Sequence, residues 1–250
     1  MTRWSGERPP AWRCVALHGF LGCGEDWRAS GLEGAWCPDL PGHGETPLGE
    51  VPSMEAWADA LAAQLERPVD VVGYSMGGRL ALALARRHPH RVRRLVLVSA
   101  SAGLEGSDVR AERVRADVAR AAELRALADD PGRWASWLRA WLSQPLFAPL
   151  GGMDEAVARR ARRDPRAMAD VVEGLSPGRA PWQGAWLREW AGETLWVAGS
   201  EDARYARAAE EYAGQMRRAE ARILAGEGHA LLDVAPVALA GVIAPFLGQR

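Results

Sequence analysis

Residues 68–88 read PVDVVGYSMGGRLALALARRH, and the fold turns on this stretch. Pro68 to Tyr74 has the short, β-branched, apolar texture of a buried strand, and Met76 to about His88 is an alanine-rich helix. Between them Gly73-Tyr-Ser-Met-Gly77 fits G-x-S-x-G. The competing reading is an ordinary glycine turn. A strand directly before the motif and a Gly77-Gly78 helix start after it favour a strained strand-to-helix turn that lifts the Ser75 hydroxyl off the backbone, tolerated only among small neighbours.

Outward from Ser75 the same alternation repeats. Arg13 to Leu17 reads as a strand running into His18-Gly19, and Ala35 to Pro38 as a weaker strand before the turn Asp39-Leu-Pro-Gly-His-Gly44. Ser53 is placed to cap a helix reaching about Glu66, and Arg94 to Val98 is the next strand. From about Ser101 to Trp190 only helical, Ala- and Arg-rich sequence follows, broken by Pro131, Pro145, Gly151-Gly152, Pro165 and Pro177. The alternation then resumes with a strand at Thr194 to Ala198, a helix at Tyr205 to Met216, a strand at Ala221 to Leu224 and a helix at Pro236 to Leu247. The expected class is α/β: a mostly parallel sheet with helices on both faces. Residues 1–100 and 191–250 form its core, and residues 101–190 a helical lid over the C-terminal strand edge, where open sheets bind ligands.

Two groups follow Ser75 in the order that a serine, acid and histidine relay requires. Gly199-Ser-Glu-Asp202 lies just past one strand and Gly226-Glu-Gly-His229 past the next, which puts Asp202 and His229 on the same sheet edge as Ser75. Glu201 is a rival acid, while Asp26 and Asp39 fall on the wrong strands. An oxyanion site needs two backbone N–H groups aimed at developing charge. The loop His18-Gly-Phe-Leu-Gly22 and the helix start supply Phe20 and Met76. His18 and His43 read as braces of their loops, and His88 and His90 as solvated groups at a helix end.

Composition narrows the chemistry. The 250 residues carry 31 basic and 32 acidic side chains for a net charge of −1, which argues against a strong grip on nucleic acid or an anionic membrane. Every basic residue is arginine, and asparagine is also missing. Schiff-base catalysis, a pyridoxal-phosphate anchor and a P-loop lysine are therefore excluded. Cys14, Cys23 and Cys37 form an odd set without metal-ligand spacing, so no metal or other cofactor is expected and the thiols read as reduced. The opening residues lack an apolar signal segment and no run is long enough to span a membrane; the expectation is a cytoplasmic protein. The oligomeric state is left open, a monomer included.

Together these motifs resemble the α/β-hydrolase superfamily from about Arg13 to Phe246, with no room before Arg13 for the usual first hairpin and hence a shortened sheet. Within it, Leu17-His-Gly-Phe-Leu-Gly22, Glu25-Asp-Trp27, Asp39-Leu-Pro-Gly-His-Gly44 and Gly73-Tyr-Ser-Met-Gly-Gly-Arg79 are similar to the MenH family of menaquinone biosynthesis. Many esterases share the first and last of these, so the lid discriminates. Arg110-Ala-Glu-Arg113-Val-Arg-Ala-Asp117 resembles the family's arginine-rich lid helix, Trp141-Leu-Ser-Gln-Pro-Leu-Phe147 its W-x-x-Q-P-x-F segment, and Leu175-Ser-Pro-Gly-Arg-Ala-Pro181 its lid turn. Arg162 falls where the family carries another lid arginine. Arg204-Tyr205 stands where the family has lysine and phenylalanine, and Ala230-Leu-Leu-Asp-Val lacks a histidine and glutamate often found there.

The resemblance implies a lyase that eliminates pyruvate from a small polycarboxylated cyclohexene, with Ser75, Asp202 and His229 as the proton relay and Phe20 and Met76 as the oxyanion site. It implies Tyr74, Arg79, Arg113, Trp141 and Arg162 as substrate-binding residues. Arginine suits such a ligand because its planar fork meets a carboxylate with two parallel hydrogen bonds. The lid holds 14 Arg against 13 acidic residues, so placement rather than bulk charge must supply the attraction. Two other readings stay open: an ester or thioester hydrolase acting through an acylated Ser75, and a non-catalytic binding protein on the same scaffold.

Overall fold

The computed structural model describes residues 4–9, 12–32, 34–49, 53–148 and 150–248. Met1–Arg3 and Pro10, part of the opening segment read above, lie outside them. Five strands pair in chain order and all in parallel: β1 (Cys14–Leu17), β2 (Val69–Tyr74), β3 (Val92–Val98), β4 (Glu193–Gly199) and β5 (Ala219–Leu224). Parallel strands are covered on both faces, and the residue alternation shows it. Val71, Leu95, Leu97, Trp196 and Ala198 point into one apolar cluster, whereas Val72, Val96, Val98, Leu195 and Val197 point into the other. Helices α1 (Met54–Ala62), α2 (Met76–Arg87) and α8 (Ala203–Gln215) supply the first cluster; α9 (Leu231–Val234) and α10 (Pro236–Leu247) supply the second with Trp27.

Three sequence expectations shift. The weak strand at Ala35 to Pro38 shrinks to one bridge, Trp36 against Val15, because Pro38 offers no N–H to extend the ladder. Ser53 accepts from Ala56 N at 3.1 Å as the cap of α1, but the helix ends at Ala62 and tightens into a turn at Gln64 and Leu65. Strand β3 begins at Val92, two residues early, after a single turn at Pro89–Arg91.

Between β3 and β4 there is no strand among the described residues. The chain runs through α3 (Ser107–Arg125), α4 (Pro131–Leu142), α5 (Met153–Arg160), α6 (Pro165–Gly174) and the short α7 (Gly184–Leu187). Asp130 and Asp164 cap α4 and α6, each with proline in the first turn, which fixes where the helical run breaks. Ion pairs join the pieces: Arg125 reaches from α3 to Asp170 at 2.7 Å and Glu173 at 2.9 Å on α6.

Because all strands run one way, the residues that follow β1, β2, β3, β4 and β5 gather on one edge. The β2–α2 junction there is crowded: a Cβ on Gly77 would lie 2.2 Å from the Leu17 carbonyl oxygen of β1. Gly77→Ala should therefore cost about 2–4 kcal/mol, near the upper range for single substitutions. Chemical denaturation checks this, and an unchanged unfolding free energy would contradict the crowding.

Candidate active site

Ser75 sits at φ 52°, ψ −109° between β2 and α2, a left-handed conformation rare for a side-chain-bearing residue. Such strain, about 1–3 kcal/mol, is kept only where packing over-determines it. Here Ser75 N–H donates to Val98 O of β3 at 2.8 Å while α2 starts at the next residue, so the turn is pinned on both sides. The serine Oγ stands 3.1 Å from His229 Nε2, and His229 Nδ1 stands 2.6 Å from Asp202 Oδ2.

The two loops that carry Asp202 and His229 are joined to each other. Glu201 N–H donates to Glu227 O at 2.9 Å and Gly226 N–H to Ser200 Oγ at 2.8 Å. Gly199 is required where they meet, since a Cβ there would fall 2.0 Å from Glu227 O. Asp202 also caps α8, accepting from Tyr205 N at 3.4 Å, and the Asp202 and His229 side chains are each 3% exposed. His229 O accepts from Ser99 Oγ at 3.0 Å, fixing the loop from β3. The rival acids are occupied elsewhere. Glu201 is exposed and meets Ser200 Oγ at 3.3 Å, Asp26 accepts from Cys23 N at 2.9 Å, and Asp39 from Gly24 N at 2.8 Å.

The loop after β1 is shaped by two buried histidines. His18 Nε2 accepts from Leu40 N at 2.9 Å and its Nδ1 lies 2.7 Å from Gly19 O. His43 Nε2 accepts from Leu21 N at 3.2 Å, with Nδ1 3.2 Å from Pro41 O. This network assigns the proton of each ring to Nδ1, since an imidazolium has no lone pair with which to accept. It holds Leu21 at φ 66° and brings Gly19 and Phe20 over the serine. Met76 N–H belongs to the first turn of α2, where backbone donors lack helical partners and the helix dipole favours negative charge.

A cavity of about 210 Å³ opens beside Ser75 and His229, walled by Phe20, Tyr74, Met76, Arg79, Arg113 and Trp141. Arg79 donates from Nη1 to the Leu175 carbonyl at 2.8 Å; burial lowers its pKa to about 10, so it stays charged at neutral pH. Burial pushes the Tyr74 hydroxyl well above 10, keeping it a donor. Arg113 pairs through Nε with Asp117 at 2.7 Å. Trp141 stacks on Trp137 at 5.3 Å and meets Phe20 edge-on at 5.9 Å.

Arg162 is not brought to this cavity. α5 ends at Arg160, and Arg162 sits exposed in the turn that follows. Arg160 instead faces a small recess behind Phe20 and Tyr74, pairing with Asp233 at 2.8 Å, and Arg159 meets the same carboxylate at 2.5 Å. Asp233 follows His229 by four residues, so this pair ties α5 of the lid to the histidine loop. Sequence reasoning also missed Arg120, Phe147 and Tyr205, which line the cavity; Tyr205 lies 4.7 Å ring to ring from His229. Arg120 was within reach of a spacing argument, since it follows Arg113 by seven residues on one helix face.

The histidine braces set a pH dependence. Burial pushes both His18 and His43 below the ordinary value of 6.5. The unfolded chain takes up protons below about pH 6.5 while the native state does not, so their contribution is fully present above that pH and is lost as pH falls. Both groups act in the same direction, so stability should fall as the pH drops below that value. Denaturation at pH 7.5 and 5 checks it: His43→Gln should flatten the dependence, and flat wild-type stability across that range contradicts it.

The alpha/beta hydrolase family model matches residues 14–242. The 2-succinyl-6-hydroxy-2,4-cyclohexadiene-1-carboxylate synthase of Yersinia enterocolitica serotype O:8 is 30% identical over 246 residues, covering 94% of this chain and 86% of its own. The solved structure of MenH from S. aureus superposes with a TM-score of 0.87 at 25% identity, covering 99% of this chain and 98% of that one. A pimeloyl-[acyl-carrier protein] methyl ester esterase of Neisseria meningitidis is 49% identical, but over 70 residues only, 28% of this chain and 27% of its own.

Proposed function

We propose, from the premise that this chain belongs to the α/β-hydrolase family, that it is a lyase of menaquinone biosynthesis. It eliminates pyruvate from 2-succinyl-5-enolpyruvyl-6-hydroxy-3-cyclohexene-1-carboxylate and gives 2-succinyl-6-hydroxy-2,4-cyclohexadiene-1-carboxylate. The observation that carries the reading is a hydrogen-bonded serine opening into a cavity lined by arginine. The likeness to synthases along nearly the whole chain supports the same substrate class.

Ser75, polarised by His229 and oriented through Asp202, removes the proton from ring C2, next to the succinyl carbonyl. The C2–H electron pair becomes the C2=C3 bond, the C3=C4 pair moves to C4=C5, and the C5–O bond breaks. The proton passes to His229 and returns to the departing enolpyruvate, which leaves as pyruvate. The N–H groups of Phe20 and Met76 hold the charge that develops on the succinyl carbonyl oxygen. Arg79 and Arg113 bind carboxylates, the Tyr74 hydroxyl donates to the substrate, and Trp141 covers the ring. Arg162 has no part here, because it faces solvent.

Pyruvate release from the isolated substrate tests this directly. Wild type should turn it over, and Ser75→Ala should lower kcat by about 10²–10⁴ with an unchanged unfolding temperature. The short, high-identity match to an esterase favours a second reading, hydrolysis through an acyl-Ser75. Rapid turnover of a small aryl ester without pyruvate release would establish that reading and sink the lyase.

A further inference from the structure

Two cations of the cavity have no task in the mechanism above: Arg204, which is exposed, and Arg120. Arg120, Asp117 and Arg113 share a face of α3, and all three line the cavity. The Asp117 carboxylate is fully buried, its side chain 0% exposed, and its two oxygens are used separately. Oδ2 accepts from Arg113 Nε at 2.7 Å and Oδ1 from Arg120 Nη1 at 2.8 Å. One carboxylate thus faces two guanidinium groups, and Arg79, bonded to a neutral carbonyl, adds a third. Arg113 and Arg120 are partly exposed, 37% and 28%, but with Arg79 they set three guanidinium groups against one carboxylate, a local surplus that a ligand carrying more than one negative charge offsets.

Arg120 is held for such a role. Its guanidinium carbon lies 5.0 Å from the centre of the Trp141 ring, and that ring is fixed in turn by Trp137 and Phe20. An aromatic face on one side and a buried carboxylate on another set the plane of the fork before any ligand arrives, which lowers the ordering cost of binding. Nη1 is the atom that meets Asp117, and the remaining N–H donors of the fork can address a second carboxylate.

We infer that Arg120, braced by Asp117 and Trp141, is a specificity-determining residue that binds one carboxylate of the substrate and makes the site select ligands with two or more carboxylates over mono-anions. The inference rests on the polycarboxylate reading of this same site. Arg120→Gln keeps most of the reach and removes the charge; Arg120→Lys keeps the charge and loses the planar fork; Arg115→Gln, on the exposed face of α3, is the control.

In pyruvate release, R120Q should raise KM about 10- to 100-fold, the worth of a charged hydrogen bond, with kcat within about threefold. R120K should fall between R120Q and wild type, and R115Q should match wild type. Calorimetric titration with tricarballylate and with butyrate is read alongside. Wild type should prefer the tricarboxylate by about tenfold or more, and R120Q, with Arg79 and Arg113 still in place, should narrow that preference. A wild type that keeps the preference but releases no pyruvate overturns the lyase reading and leaves the role of Arg120 standing. An R120Q of normal unfolding temperature with unchanged KM and unchanged tricarballylate affinity overturns the inference. Should R120Q fail to fold, R120K decides: a raised KM at constant kcat supports the role, and a wild-type KM overturns it.

Discussion

A serine held at φ 52° between a buried strand and a helix is unfavourable on its own, and the site exists because the surrounding backbone leaves it no other conformation. β3 takes the Ser75 N–H, the Leu17 carbonyl of β1 closes over Gly77, and α2 begins at once. The same register that fixes the serine fixes its partners. Parallel pairing from β2 to β5 delivers Ser75, Ser99, Asp202 and His229 to one edge, and the bonds between the β4 and β5 loops convert a shared edge into a 2.6 Å contact. Distances of this kind depend on the sheet, not on the local propensity of any loop.

The second constraint is electrostatic. A chain with a net charge of −1 and a lid near neutrality has no broad field with which to draw an anion. Several arginines are spent on pairs that hold the helices between β3 and β4 together or fasten them to the rest, such as Arg125 with Asp170 and Arg160 with Asp233. Around the serine the balance differs: Arg79, Arg113, Arg120 and Arg204 share a cavity with Asp117 as the one acidic group in its lining among the described residues. A lysine-free chain thus gathers a local positive surplus inside a segment that is close to neutral as a whole.

Much of this was legible in the sequence because periodicity and spacing report on the backbone. The strand before Ser75 and the helix after it stand within a residue or two of where the apolar pattern puts them, and so do β4 and α10. Asp202 and His229 were recoverable because parallel strands make chain order a spatial statement. The weak strand at Ala35 to Pro38 was over-read, since its apolar residues signal burial but Pro38 cannot pair. Arg162 was misplaced for a different reason. Its neighbours Arg159, Arg160 and Arg163 are chemically identical, and which of them faces the core depends on where α5 stops, a matter of one turn. Tyr205 and Phe147 escaped because apolar and aromatic residues in a lid look the same whether they pack on one another or on a ligand.

In the proposed reaction the Ser75–His229 pair works as a base toward carbon and not as a nucleophile toward a carbonyl. Single turnover with substrate deuterated at ring C2, followed by intact-mass measurement of the protein, addresses it most directly. Deuterium should slow pyruvate formation, and the protein mass should stay unchanged throughout. Pyruvate formation indifferent to deuterium, together with a mass increase carried on Ser75, would contradict it.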